Sequence, residues 1–334
     1  MRIVHVLLTK RFAGTERHVV DLVSEQAKTH DVHVILHAKG YGSRVDAVAR
    51  RFPTNVTLHK VGRPIRQWTF AQVRHVIGKI NPDVVHCHLK AACKSVKGLR
   101  NVARIATLHI DYDAAQHAHM DALICLTPQQ QVRAQAVSQA KLVHIDNWVT
   151  GEPANSADAE AIRRQHGFDK DAFIIGTVGR IEASKRHRWL IETLQPLLSD
   201  AVKLVIIGEG RLRAELEQAY PEVYFPGYSD TPKAWLKSFD VFVNVADFEP
   251  FGLVFLEAAQ AGTDIVATQT EGASHLSQLL GFEVVPIDNP EAFRQAISSL
   301  LDAKQKTRSY DLTGFDLAGQ SAKVEQVYSA CLQE

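Results

Sequence analysis

Two doubly wound α/β domains are what this sequence predicts, on three observations. Short apolar runs rich in β-branched residues alternate with amphipathic stretches along the whole chain, as parallel strands alternate with helical crossovers. Glycine-bearing loops follow several of those runs, at the strand ends where α/β ligands bind. A chain of 334 residues is also too long for one small core.

Composition narrows the class. The 46% hydrophobic content is that of an ordinary soluble globular protein. Met1–Leu8 has the start of a signal peptide, but His5 interrupts its apolar run and Thr9-Lys10-Arg11 ends it too soon. No apolar stretch reaches the length of a membrane-spanning helix. Cys87, Cys93, Cys125 and Cys331 have neither metal-ligand nor redox spacing, which fits a reducing compartment and a cytoplasmic protein. The net charge of +1 hides an asymmetry. Residues 1–150 carry 21 Lys+Arg against 10 Asp+Glu, or +11, and the remainder carries 17 against 27, or −10. The first domain is therefore expected to meet something anionic.

Residues 2–8 read as a buried parallel strand, followed by Phe12-Ala-Gly-Thr-Glu16 and a helix through Val19, Val20, Leu22 and Val23. Gly14 could admit a phosphate or sugar, or simply close a βα turn; there is no Gly-x-Gly-x-x-Gly run to mark a dinucleotide site. Strands follow at Val32–Ala38 and Val56–Val61, then a helix over Gln67–Ile80 that Asn81-Pro82 stops. Asp83–His88 is the next strand, with His86 and His88 on one face. Two imidazoles could share a metal, but no third ligand lies near them in sequence, so a metal is not expected. Lys90, Lys94, Lys97, Arg100 and Arg104 recur at helical spacing and predict one basic stripe, either a solvated face or a docking face for an anionic acceptor or lipid. Ile105–Ile110 is a strand ending at His109, a candidate acid/base or hydroxyl ligand, with a structural histidine as the alternative. Ala122–Leu126 and Val143–Ile145 complete the domain, and Gly151-Glu-Pro-Ala-Asn-Ser-Ala-Asp158 has linker composition. The expected division is 1–150, 151–309 and a helical tail, 310–334, that could pack back on the first domain.

The second half repeats the scheme. Phe173–Val178 is a strand leading to Gly179-Arg180-Ile-Glu-Ala-Ser-Lys185 and a helix through Leu190, Ile191 and Leu194. Arg180 and Lys185 after a glycine, at a strand's C-terminal edge, predict a cationic phosphate clamp. Val202–Gly208, Val223–Phe225 with Gly227-Tyr228, and Val241–Val245 are further strands, the last running into Glu249-Pro-Phe-Gly-Leu-Val-Phe-Leu-Glu257. Gly252 lets backbone approach a ligand, and the N–H groups opening the next helix attract phosphate. Glu249 then stands at the mouth and Glu257 more than a turn inside, which suits a diphosphate with a sugar at one end and a ribose at the other. A first-turn acid and an exposed surface glutamate are the plainer alternative. Ile265–Thr268 and the loop Thr270-Glu-Gly272-Ala273 close the set. Glycine loops and both glutamates are expected at one sheet edge, as a nucleotide-sized site.

These residues resemble those of the retaining glycosyltransferases of family 4. Glu249 and Glu257 match the family's paired glutamates, set in Glu-x-Phe-Gly, four residues and Glu, with Ala261-Gly262 behind. Val178-Gly179-Arg180 with Lys185 looks like its Arg/Lys phosphate pair, and Ile206-Ile-Gly208-Glu-Gly210 like its Gly-acidic-Gly loop. Gly14-Thr-Glu16, His86-Cys-His88, His109 and Asn147-Trp-Val149 fall in the family's order, so the likeness covers nearly the whole chain. It implies the GT-B fold, two Rossmann-like domains facing a central cleft. Carried over, Glu257 holds the ribose hydroxyls of a nucleotide-sugar donor and Glu249 contacts donor-sugar hydroxyls. Phe251, Gly252, Leu253 and Val254 bring backbone to the sugar and diphosphate, and Gly14, Gly179, Gly208 and Gly227 belong to the donor loops. Arg180 and Lys185 neutralise the diphosphate, while His109 faces donor sugar or acceptor; with Glu249 these form the implied catalytic set. Arg186 after the lysine, Asp264, and Gly272-Ala273 depart from the usual glycine, proline and Gly-Gly.

Breaking the anomeric C–O bond leaves charge growing on the diphosphate, which fixed cations and helix N–H groups stabilise. No cofactor and no metal is then expected. The expected activity is retaining transfer to an anionic glycan or glycolipid acceptor, lipopolysaccharide core being favoured by the basic first domain. Same-face attack would let the leaving phosphate take the acceptor's proton. Peripheral contact with the anionic cytoplasmic face of the inner membrane is expected. Nucleic acid is not, because no nucleic-acid motif accompanies the charge. The alternatives are a nucleotide-sugar epimerase of the same fold and an idle nucleotide- or glycan-binding protein.

Overall fold

The computed structural model describes residues 1–10, 12–42, 47–303 and 308–333. The chain divides into two compact units, Met1–Thr150 with Phe315–Glu334, and Gly151–Gly314.

The first unit is built on seven parallel strands: β1 (Arg2–Leu7), β2 (Asp31–His37), β3 (Thr57–Val61), β4 (Val84–His88), β5 (Ala103–Leu108), β6 (Ala122–Cys125) and β7 (Lys141–His144). Their order is β3-β2-β1-β4-β5-β6-β7, so the strand order reverses between β1 and β4. A ligand crevice lies beyond the strand ends at such a reversal. Because side chains alternate, β1 sends Val4 and Val6 into one core and Ile3 into the other. The Ile3 face is covered by Leu22 of the helix Gly14–Gln26 and by Val324, Val327 and Tyr328 of the helix Leu317–Leu332.

The second unit repeats the plan with β8 (Phe173–Val178), β9 (Val202–Ile207), β10 (Tyr224–Gly227), β11 (Val241–Asn244), β12 (Asp264–Thr268) and β13 (Glu283–Val285), ordered β10-β9-β8-β11-β12-β13. One core joins Ile175, Leu204, Ile206, Val241, Val243 and Val266 of the sheet to Leu190, Ile191, Phe293 and Ile297 of two helices. Two Rossmann-like parallel-sheet units are therefore present, as the alternating pattern predicts.

Three expectations change. The basic stripe does not form. The helix after β4 is only Leu89–Ser95, Gly98 and Asn101 then take left-handed backbone, and Arg104 lies in β5, paired with Asp121 at 2.6 Å. Val96 caps the helix, and the left-handed glycine at 98 turns the chain away from the longer helix that the spacing of the five cations had assumed. The expected linker is half structure: Asn155 and Asp158 form a reciprocal capping box that opens the helix Ser156–Gln165. The tail divides at 314/315, not at 310. Tyr310 donates its hydroxyl to Thr263 O in the second unit, whereas Leu317–Leu332 packs on the first sheet.

Candidate active site

The second unit's site starts from the loops at the C-terminal ends of β8, β9 and β10, which are stitched backbone to backbone. Gly179 N–H donates to Ile207 O at 2.9 Å, and Gly208 N–H to Gly227 O at 2.8 Å. Gly208 has φ +139°, and a Cβ there would sit 1.9 Å from Gly179 O. Only glycine lets these loops touch. Arg180, next to Gly179, is exposed, and no ion pair or hydrogen bond holds its guanidinium among the described residues.

Past β11 the chain enters Glu249–Phe251 and then the helix Leu253–Ala261. Its N-cap is Gly252, left-handed at φ 85°, where a Cβ would lie 2.5 Å from the Phe255 ring. A glycine cap has no side chain to satisfy the first-turn N–H groups, and among the described residues no side chain caps this helix. Gly272 N–H donates to Glu249 O at 2.9 Å and fixes the entry to that helix. Glu249 itself accepts from Lys185 Nζ at 2.7 Å, with the two side chains 15% and 25% exposed. The clamp lysine and the mouth glutamate, assigned separate ligand groups by the resemblance, thus hold each other. Glu257 is half-buried one turn into the helix.

The departures from the family pattern have local reasons. Arg186 is left-handed at φ 54°, which explains why glycine is usual there; it ion-pairs with Asp288 and stacks on Trp189 at 5.0 Å. Asp264 is buried but faces Arg308 at 3.6 Å. Burial raises its pKa against the lowering effect of that arginine. Ala273 is fully buried, its N–H accepted by Thr270 Oγ1.

In the first unit, Gly14 begins the Gly14–Gln26 helix and His109 is the half-exposed residue just past β5. His109 is not isolated. The register β1·β4·β5 pairs His5 with His86 and His88 with Thr107, and His18 reaches the same place from the Gly14–Gln26 helix. His88 Nδ1 lies 3.0 Å from His109 Nε2, and His5 Nδ1 lies 3.1 Å from His88 Nε2. His18 stacks on Trp148 at 4.4 Å between centroids. Burial lowers the pKa of His5 to about 4 and of His18 to about 3, and holds His86, His88 and His109 well below the usual range. The expectation that His86 and His88 lack a third imidazole is therefore corrected. His5 and His18 were missed, although a histidine inside the apolar run of β1 was a visible signal.

Of the expected basic residues, Lys90, Lys97 and Arg100 are exposed and Lys94 is half-buried. Asp111-Tyr-Asp113 and Asp169-Lys-Asp171, the chain's two Asp-x-Asp runs, are tied into local structure. Asp113 caps the helix Ala114–His117 and Asp111 pairs with Arg133, while Asp169 accepts from the Asp171 N–H.

Comparison with known proteins agrees with this geometry. Residues 12–150 match the model described as Glycosyltransferase Family 4, and residues 172–303 the one described as Glycosyl transferases group 1. The chain is 25% identical over its whole length to the lipopolysaccharide core biosynthesis glycosyltransferase LpsE of Rhizobium meliloti, covering 98% of that protein. It is 29% identical to the GDP-mannose-dependent alpha-mannosyltransferase of Mycobacterium tuberculosis over 70% of this chain and 67% of that one. The structure of Anabaena HepE in complex with UDP and glucose superposes with a TM-score of 0.83 at 16% identity, covering 99% of this chain and 100% of that one. The two family models cover both units and meet the loops described above, so the chain belongs to the family-4, group 1 glycosyltransferases.

Proposed function

We propose that this glycosyltransferase moves a sugar, with retention, from a nucleoside-diphosphate sugar to an anionic glycan or glycolipid, lipopolysaccharide core being the favoured acceptor class. The observation that carries the reading is the Lys185–Glu249 pair at the mouth of a helix whose glycine cap offers no side chain to its first N–H groups. A diphosphate seated there meets the helix N–H groups, the Lys185 ammonium and the free guanidinium of Arg180. As the anomeric C–O bond breaks, negative charge grows on the leaving oxygen, and these fixed positive groups stabilise it more than the ground state. Lys185 turning to phosphate frees Glu249 to accept from sugar hydroxyls, while Glu257 accepts from the ribose. On this reading the leaving phosphate takes the acceptor's proton as the new bond forms on the same face. His109, at the ligand edge of the first sheet, offers a ring nitrogen to a sugar hydroxyl. With two cations in place, a Mg²⁺ ion is not required.

The acceptor class rests on the relative LpsE and on the +11 charge of residues 1–150. No helix among the described residues is long and apolar enough to cross a membrane. For contact with a bilayer, the surface around Trp68 serves better than the five spaced cations. Ile65 and Trp68 are 45% and 59% exposed, and Arg63 and Arg66 flank them. An exposed indole beside guanidinium groups suits an anionic headgroup layer at the cytoplasmic face.

The test is the stereochemistry of the product. Incubation with lipopolysaccharide-core acceptor and a panel of nucleotide sugars, without Mg²⁺, is expected to give a product whose anomeric configuration by NMR equals the donor's. An inverted anomer would remove the retaining mechanism. Interconversion of the donor without acceptor would favour the epimerase.

A further inference from the structure

The buried imidazoles of the first unit have their tautomers set by their neighbours. Asn147 Oδ1 lies 2.8 Å from His18 Nδ1. A carboxamide oxygen only accepts, so His18 carries its proton on Nδ1 and a lone pair on Nε2. That Nε2 is buried and has no hydrogen-bond partner. On the other side, His5 Nε2 faces Gln26 Oε1 at 2.8 Å and must donate to it. His5 Nδ1 then accepts from His88 Nε2, which leaves the His88 lone pair on Nδ1, facing His109 Nε2 at 3.0 Å.

We propose that His18 Nε2, His88 Nδ1 and His109 Nε2 form a three-imidazole site for a divalent transition-metal ion of the zinc class. The three residues bring ligand nitrogens within 4.8 Å of one another. Two nitrogens each about 2.0–2.1 Å from a tetrahedral ion stand roughly 3.3 Å apart. The His88–His109 separation needs only a few tenths of an ångström to reach that. Binding asks one change of protonation, the His109 proton moving from Nε2 to Nδ1. All-nitrogen ligation selects Zn²⁺, Co²⁺ or Ni²⁺ over Mg²⁺ and Ca²⁺. Asn147 on His18 and His5 on His88 are the outer hydrogen-bond partners that such ligands ordinarily have. In the neighbouring trio His5, His86 and His88, both His86 nitrogens are engaged, by Tyr328 Oη at 2.6 Å and Thr107 Oγ1 at 2.8 Å. His109, the half-exposed member, gives the way in. This site shares His109 with the transfer reading and contains none of the diphosphate-clamp residues, so metal binding is read without turnover.

The experiment is equilibrium dialysis of the chelator-stripped full chain against Zn²⁺ or Co²⁺. One equivalent is expected to bind, with Co²⁺ giving visible d–d bands and Zn²⁺ raising Tm in a way that EDTA reverses. His18→Gln is expected to weaken binding at least about tenfold, and Asn147→Ala roughly 10–100-fold. His33→Gln, in the separate His33–His59 pair, is expected to leave it unchanged. Should the variants not fold, X-ray absorption of zinc-loaded wild type is expected to count three imidazoles. No bound metal, binding indifferent to His18→Gln, or fewer than three imidazoles would each overturn the site.

Discussion

Lys185→Met separates a catalytic clamp from a structural tether. The ammonium lies 2.7 Å from Glu249 Oε2, with side-chain exposures of 25% and 15%, so water screens part of the attraction. A charge-assisted hydrogen bond in such a place contributes about 1–2 kcal/mol to stability after that discount. Its loss is expected to move the urea midpoint of the second unit modestly. The catalytic effect is expected to be larger. If Lys185 stabilises the leaving diphosphate, removing it costs on the order of 2.7–4 kcal/mol of transition-state stabilisation, or about 10²–10³ in kcat. The assay is nucleoside-diphosphate release under saturating donor, with the folded fraction measured in the same buffer. Glu249→Gln is the control, since it breaks the same pair and keeps the cation. It is expected to match Lys185→Met in stability and to change KM for the donor sugar more than kcat. A Lys185→Met enzyme that loses stability yet keeps kcat within about threefold of wild type would refute the reasoning and make the pair a tether.

Three further outcomes are expected. Glu257→Ala is expected to weaken nucleoside-diphosphate binding by about 10–150-fold, the loss of charge-assisted bonds worth roughly 1.5–3 kcal/mol, read as a lost ligand-induced Tm shift; an unchanged shift would remove Glu257 from the ribose. His187 is buried and its pKa is lowered to about 4, first by burial and then by Lys185. Since the unfolded chain takes up that proton first, stability is full above about pH 6.5 and falls as pH drops toward 4, by about 1.4 kcal/mol at pH 5.5. Urea titration of His187→Asn is expected to lose that slope, and an identical slope in the variant would count against it. Trp68→Glu is expected to reduce sedimentation with anionic vesicles severalfold while leaving turnover of a soluble acceptor unchanged; equal sedimentation would move the membrane face elsewhere.

Much of the second unit could be read from the chain because each part of its site is local. Gly179 to Lys185 is one loop, and Glu249 to Glu257 is one loop and one helix turn, so spacing is enough to place them. What spacing could not show was that Lys185 and Glu249 pair across 64 residues, since that contact depends on β8 lying beside β11. Periodicity also misled where turn chemistry overrode it. Five cations at helical intervals looked like one face, but the helix ends at Ser95, Gly98 and Asn101 turn the chain in left-handed backbone, and Arg104 falls in β5. Asn155-Ser-Ala-Asp158 has linker composition and is a capping box. β13 is three residues long, below the length at which alternation can be recognised.

The histidine cluster is the opposite case, invisible locally and required by topology. Its members stand at positions 5, 18, 86, 88 and 109, and only His86 and His88 are close neighbours in sequence. The reversal of strand order sets β1 beside β4, and period-two alternation then puts His5, His86 and His88 on the same face. The crossover helix Gly14–Gln26 covers that face and brings His18 in, while β5 delivers His109 at its end. A strand buried on both sides has no reason of solubility to carry a histidine, and β1 and β4 carry three between them, each 0% exposed. Each must be hydrogen-bonded to be tolerated there: Gln26 holds His5, Tyr328 and Thr107 hold His86, and His5 and His109 hold His88. Among the described residues His18 Nε2 has no hydrogen-bond partner, and it is the atom on which the metal proposal turns.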